Sequence, residues 1–122
     1  MPPCIASKAY GTVSAERQKE MSGLEFVQGL ASGTLPLNTM AETLGYDVSE
    51  AESGRVVVTA VPDRSHLNPA GTVHGGLAAT MLDSCMGLAI HSTSRKGRRF
   101  NNARVQDFTG AADYAGNRPH QS

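Results

Sequence analysis

His74-Gly75-Gly76 and Asp83 are the residues whose types and spacing could carry chemistry. The glycine pair opens the apolar run "LAATMLDSCMGLAIHST". Free N–H groups at a helix N-terminus, with the helix dipole, favour negative charge. Glycines let a ligand approach the backbone closely. Such N–H groups can hold the oxyanion that forms when a carbonyl is attacked. The same glycines would also serve a tight packing contact between loop and helix. Asp83 is the only charged residue in the run. A buried, unpaired carboxylate is costly, so Asp83 must reach water, a hydrogen-bonding partner at the core edge or a working site.

Asp83 lies nine residues after His74. At about 3.6 residues per turn this is roughly two and a half turns, so the two point to opposite faces. One chain would struggle to bring them to one site. Two copies that pack their central helices symmetrically could do so.

The elements that must position these residues follow from the pattern. Residues 1–15 read as a flexible tail. "ERQKEMSGLEFVQGLASG" predicts one helix over Glu16–Gly33, with Leu24, Val27 and Leu30 near helical spacing and Gly33 as its stop. "LPLNTM" reads as a connector. "MAETLGYDVSEAESGRVVVTAVP" predicts two strands around a turn at Glu52–Gly54, and the β-branched run Val56–Val61 is the clearest strand. "DRSHLNPAGTV" predicts a loop punctuated by Pro69 and Gly71. The helix after it is apolar on all sides (Leu77, Met81, Leu82, Cys85, Met86, Leu88, Ala89, Ile90), which predicts burial.

Composition narrows the function classes. The 122 residues suffice for one domain with a modest core. Basic and acidic residues number 11 each, so the formal net charge is zero. A general binder of nucleic acid or membrane surface would usually be more basic. No stretch has the length and apolarity of a membrane span, and the start shows no secretory signal. Cys4 and Cys85 read as free thiols in a reducing cytosol, and no spacing joins them to the four histidines as metal ligands. The expected location is therefore cytoplasmic. Residues 95–122 hold six basic and two acidic residues, a net +4 against −4 for the remainder. The cluster Arg95, Lys96, Arg98, Arg99 reads as a solvated loop or as a contact for phosphates.

"HLNPAGTVHGGLAATMLDSCMGLAIHS" resembles the PaaI-like, phenylacetic-acid-degradation branch of the hotdog-fold acyl-CoA thioesterases. Asn68, Pro69, Gly71, Val73, His74, Gly75, Gly76 and Asp83 fall at that family's spacing, and the likeness spans roughly residues 22–99. It implies an α+β hotdog fold, a central helix packed on a curved antiparallel sheet, assembled as a homodimer or homotetramer. It implies an acyl-CoA substrate with an aryl or medium-chain acyl group, and no metal or redox cofactor. Asp83 would be nucleophile or general base. The Gly75 N–H would polarise the thioester carbonyl, while Asn68 and His74 position water or acyl group. Apart from the resemblance, Gly76 by its place at the helix start, and Arg95 and Lys96 by their charge, are the candidates for substrate contact. Asp83 would come from one subunit and Asn68, His74 and Gly75 from the other.

The chain departs from the family after the helix, where three more strands are expected. Read one nucleotide out of step from within the Arg99 codon, the degenerate code for this tail permits "GSTTLEFKISLVRP", which alternates as a strand should. A frameshift near Arg99 is therefore expected. It leaves a partial domain over 16–99, with the last strands missing, and an aberrant, disordered tail over 100–122. An acyl-CoA dehydratase is a competing reading within the fold, and "NPAGTVHGG" argues against it. An inactive fragment or a non-catalytic acyl-binding module is the alternative from a different class.

Overall fold

The computed structural model describes residues 8–97. Cys4, and the expected tail over 100–122 with its displaced frame, lie outside the described residues. Helices α1 (Ala15–Lys19), α2 (Gly23–Ser32) and α3 (Thr39–Leu44) come first. Strands β1 (Tyr46–Glu52) and β2 (Arg55–Ala60) follow, then a 3-10 turn at Arg64–His66 and helix α4 (Gly75–His91). The architecture is α+β. A long helix packs on a two-stranded antiparallel sheet, an arrangement compatible with an incomplete hotdog fold.

The single helix expected over Glu16–Gly33 is two. Ser22 starts a new one: its Oγ accepts from the Glu25 N–H at 3.1 Å, and Glu25 Oε1 accepts from the Ser22 N–H at 3.0 Å. This reciprocal cap satisfies two helix-end donors and redirects the chain between α1 and α2. Gly33 ends α2 at φ +87°, as its position predicts. The connector "LPLNTM" also proves partly helical, because α3 begins at Thr39 and is closed by Gly45 at φ +75°.

β1 and β2 pair from Tyr46↔Ala60 to Glu52↔Arg55, with a register shift between Val48 and Glu50. The turn falls at Ser53–Gly54, inside the expected stretch, and Gly54 takes φ +78°. α2 packs on β1, and α4 on β2. The core between them holds Phe26, Val27, Leu30, Leu35, Leu37, Tyr46, Val48, Val56 and Leu88. Val27 and Val48 are fully buried, each contributing about 1.5–3 kcal/mol by leaving water.

Two expectations about burial fail. Within the expected tail, residues 8–14 are tied down rather than loose. The Leu37 N–H donates to the Ala9 carbonyl at 2.8 Å, and the Gly11 N–H donates to the Leu37 carbonyl at 2.9 Å. Lys8 Nζ reaches the Val48 carbonyl at 2.7 Å and pairs with Asp47. Helix α4, expected to be buried all round, is covered on one side only. Leu77 and Leu88 are buried, with Met81, Cys85 and Ala89 partly so, but Leu82, Met86 and Ile90 are 60, 60 and 72 % exposed. They sit four residues apart and form one stripe. Among the described residues the sheet has two strands, and these cover only the opposite face.

Gly23 marks the closest approach of the two main helices. A Cβ there would stand 1.7 Å from the His91 carbonyl oxygen, which is backbone and cannot swing away. Gly23→Ala is therefore expected to force α2 and α4 apart and cost about 1–3 kcal/mol. Urea unfolding of the variant beside the parent checks this; an unchanged midpoint would show that the helices do not meet there.

Candidate functional site

The loop 67–73 is closed by its own residues. Asn68 Oδ1 accepts from the N–H groups of Ala70 and Thr72, at 3.0 and 3.2 Å, and Asn68 Nδ2 donates to Thr72 Oγ1 at 2.8 Å. The Asn68 N–H donates to the Thr72 carbonyl at 2.8 Å, and Gly71 takes the positive φ of +83° that the turn requires. Asn68 thus shapes the loop, and one N–H of its amide stays uncommitted to it.

His74 is the N-cap of α4. Its Nδ1 accepts from the Gly76 N–H at 2.7 Å. The cap satisfies one helix-end donor and leaves Gly75, the first helical residue, with an N–H that has no intrahelical acceptor. Gly75 is exposed, and a Cβ there would meet nothing within 4 Å. The backbone is open to a ligand at this point. The arrangement can donate to a carbonyl or carboxylate oxygen.

Asp83 lies on the wall of a different space. A cavity of about 540 Å³ is bounded by α4 (Thr80, Asp83, Ser84), by α2 (Phe26, Leu30) and by Met40 of α3. Its size is that of a small-molecule pocket and its walls are mostly apolar. Asn68, His74, Gly75 and Gly76 do not line it. Nine residues of helix place Asp83 about 13 Å along the axis from His74. Within one chain, then, the loop and helix-start group stand together, and Asp83 stands apart from them.

Arg95 and Lys96 stand farther off. They follow the C-terminus of α4 and line a separate exposed hollow with Ile90, Thr93 and Ser94. A helix of 17 residues is about 25 Å long, so within one chain they cannot share a ligand's reacting end with Gly75. Among the described residues, no three His, Cys, Asp or Glu gather as metal ligands. No helix there is long and apolar enough to cross a membrane.

The sequence reading missed a polar chain on the cavity wall. Asn38 Nδ2 donates to the Tyr46 hydroxyl at 2.9 Å, and that hydroxyl lies 3.1 Å from Ser84 Oγ. Tyr46 is 2 % exposed, so its hydroxyl needs such partners. Ser84 follows Asp83 directly, but nothing in residue spacing joins it to Asn38 and Tyr46. Their meeting depends on the sheet folding under α4.

His91 is buried with its ring edge-on to Phe26, centroids 5.3 Å apart. Burial pushes its pKa below the usual imidazole value of 6.5, because the charged ring loses water. In this range the unfolded chain binds a proton that the folded chain resists. Stability is thus full above about pH 6.5 and falls as the pH drops through the lower folded value. The carboxyls of Asp63, held down by hydrogen bonds from Ser65, and of Glu25, by those from Ser22, act in the same direction only at more acidic pH. The melting temperature is expected to fall between about pH 7 and 5, and His91→Leu to flatten that slope. An equal slope in the variant would remove His91 as its cause.

The comparisons with known proteins cover the later part of this fold. The family described as a domain of unknown function (DUF4442) matches residues 32–106, which takes in α3, the hairpin, the loop and α4. No curated protein and no solved structure matches the chain. Over more than half its length, the chain belongs to the DUF4442 family.

Proposed function

We propose that the chain is an acyl-CoA thioesterase by descent, of the PaaI-like hotdog type. One observation carries the reading. Helix α4 presents an open backbone end at Gly75 and, eight residues on, a carboxylate at Asp83 beside an apolar cavity. The first suits a thioester oxygen, and the second suits attack on its carbon. The apolar walls suit an aryl or medium-chain acyl group.

Two copies complete the site. Packed antiparallel along α4, each sets its Asp83 near the Gly75 end of the other. The exposed Leu82–Met86–Ile90 stripe, farther along α4, is an apolar face that other parts of a partner could cover. Two routes are open to Asp83. As general base it takes a proton from water, and the hydroxide adds to the thioester carbon. The oxyanion accepts from Gly75 N–H, the C–S bond breaks, and the CoA thiolate takes up a proton. As nucleophile it forms an acyl anhydride, expelling the thiolate, and water then cleaves the anhydride. His74 and Asn68 hold the loop and orient water or acyl group. Arg95 and Lys96 offer charge to CoA phosphates from the other copy. No metal takes part, and the partners are acyl-CoA and self, with neither nucleic acid nor membrane. The cytosol fits this reading, since Cys4 and Cys85 would stay reduced there.

A second reading has its own support. The exposed apolar stripe on α4 is also what a fragment would leave bare, and the chain is then an inactive hotdog remnant or an acyl-binding module. Resequencing the gene around Arg99 tests the displaced frame; a frame with no extra or missing base removes that explanation of the tail.

Release of thiol from phenylacetyl-CoA and from a medium-chain acyl-CoA, followed with DTNB, tests the main reading. Activity is expected in the parent and to drop about 10²–10⁴-fold in Asp83→Ala. No release above that control would favour the remnant. Mixing Asp83→Ala with His74→Ala chains, each inactive alone, is expected to restore about a quarter of parental activity, because one site in each mixed dimer is intact. No recovery on mixing would place both residues in one chain's site.

A further inference from the structure

We propose that His66 is a positioning residue that fixes the loop bearing Asn68 and the His74 cap, and ties both to the cavity wall. The role in turnover rests on the functional reading above. His66 sits on an exposed loop yet is only 8 % exposed. Its ring spans two segments. Nδ1 accepts from the Asp63 N–H at 2.9 Å, and Nε2 faces the Leu44 carbonyl at 2.6 Å. A carbonyl can only accept, so the ring carries its proton on Nε2, and the bond to Asp63 N–H requires a bare Nδ1. One neutral tautomer satisfies both.

The backbone of the same residue completes the junction. The His66 N–H donates to the Asp63 carbonyl at 3.0 Å, and the His66 carbonyl accepts from the His74 N–H at 2.6 Å. That last bond sets the cap, and the cap holds Gly76 N–H, leaving Gly75 N–H without an intrahelical acceptor. Leu44, on the other side of the ring, ends α3 and lies two residues before Tyr46, whose hydroxyl meets Ser84 beside Asp83. His66 thus links the helix-start group to the wall that carries the carboxylate. Small displacements of such groups cost catalysis more than they cost binding.

The test uses the full chain with His66→Phe, which keeps ring bulk without either hydrogen bond, and His66→Asn, which keeps an acceptor near the Nδ1 position. Amide hydrogen exchange is read at Asp63 and His74, with Val27 and Val58 as core references. In His66→Phe, exchange at Asp63 and His74 is expected to speed up about tenfold or more while the references hold. With phenylacetyl-CoA, kcat is expected to fall about tenfold with KM changed less than about twofold, and His66→Asn to recover part of both effects. Exchange that rises equally at Val27 and Val58, or not at all at His74, overturns the proposal, as does a kcat that stays at the parental value. If His66→Phe does not fold, His66→Asn carries the same comparison. A parent that cleaves no thioester defeats the functional reading alone, and the exchange pattern then decides whether His66 holds the loop.

Discussion

The start of α2 lies against the end of α4 with no room for a methyl group between them. Gly23 makes that approach possible, and its N–H donates to the Ser94 carbonyl at 3.0 Å. The hairpin is fastened at the same place: Ser92 Oγ accepts from the Gly54 N–H at 2.8 Å and donates to the Ala89 carbonyl at 2.6 Å. These bonds gather α2, the β-turn and α4 at one corner. The core from Phe26 to Leu88 then fills the wedge they define. Without the close approach at Gly23, α2 and α4 could not both reach the hairpin, and the cavity beside Asp83 would have no opposite wall.

Much of this was legible in the residues. The β-branched run from Val56 and the Gly54 turn predict the hairpin, because period and turn chemistry are local. The apolar run behind His74-Gly75-Gly76 predicts α4 and its start. Other features depend on contacts that spacing does not carry. The break between α1 and α2 hinges on the Ser22–Glu25 cap, which a helical apolar pattern running through Met21 and Leu24 conceals. The short helix at Thr39 interrupts a stretch that reads as a connector. The anchoring of residues 8–14 depends on Leu37 and Asp47, which are distant in sequence.

The site divides in the same way. Asn68, His74 and Gly75 announce themselves because they share one loop and its helix. Their separation from Asp83 also follows from helix geometry, and the structure keeps them apart within one chain. The wall formed by Asn38, Tyr46 and Ser84 was hidden, because three elements must meet to build it. Arg95 and Lys96 are close to Asp83 in sequence, but the length of α4 carries them away from Gly75. As a lone histidine in a loop, His66 gives no sign in the sequence of the Leu44 carbonyl it meets.

Helix α4 is held unevenly. Its C-terminal end is clamped by Gly23, Ser92 and Ser94, whereas residues 71–76 at its other end are exposed. The clamp and the open backbone at Gly75 thus lie at opposite ends of one rod. Substitutions in the 67–73 loop can reshape what Gly75 presents while leaving the clamp untouched. For a fold with so small a core, that separation allows the sequence of the loop to drift without unfolding the protein.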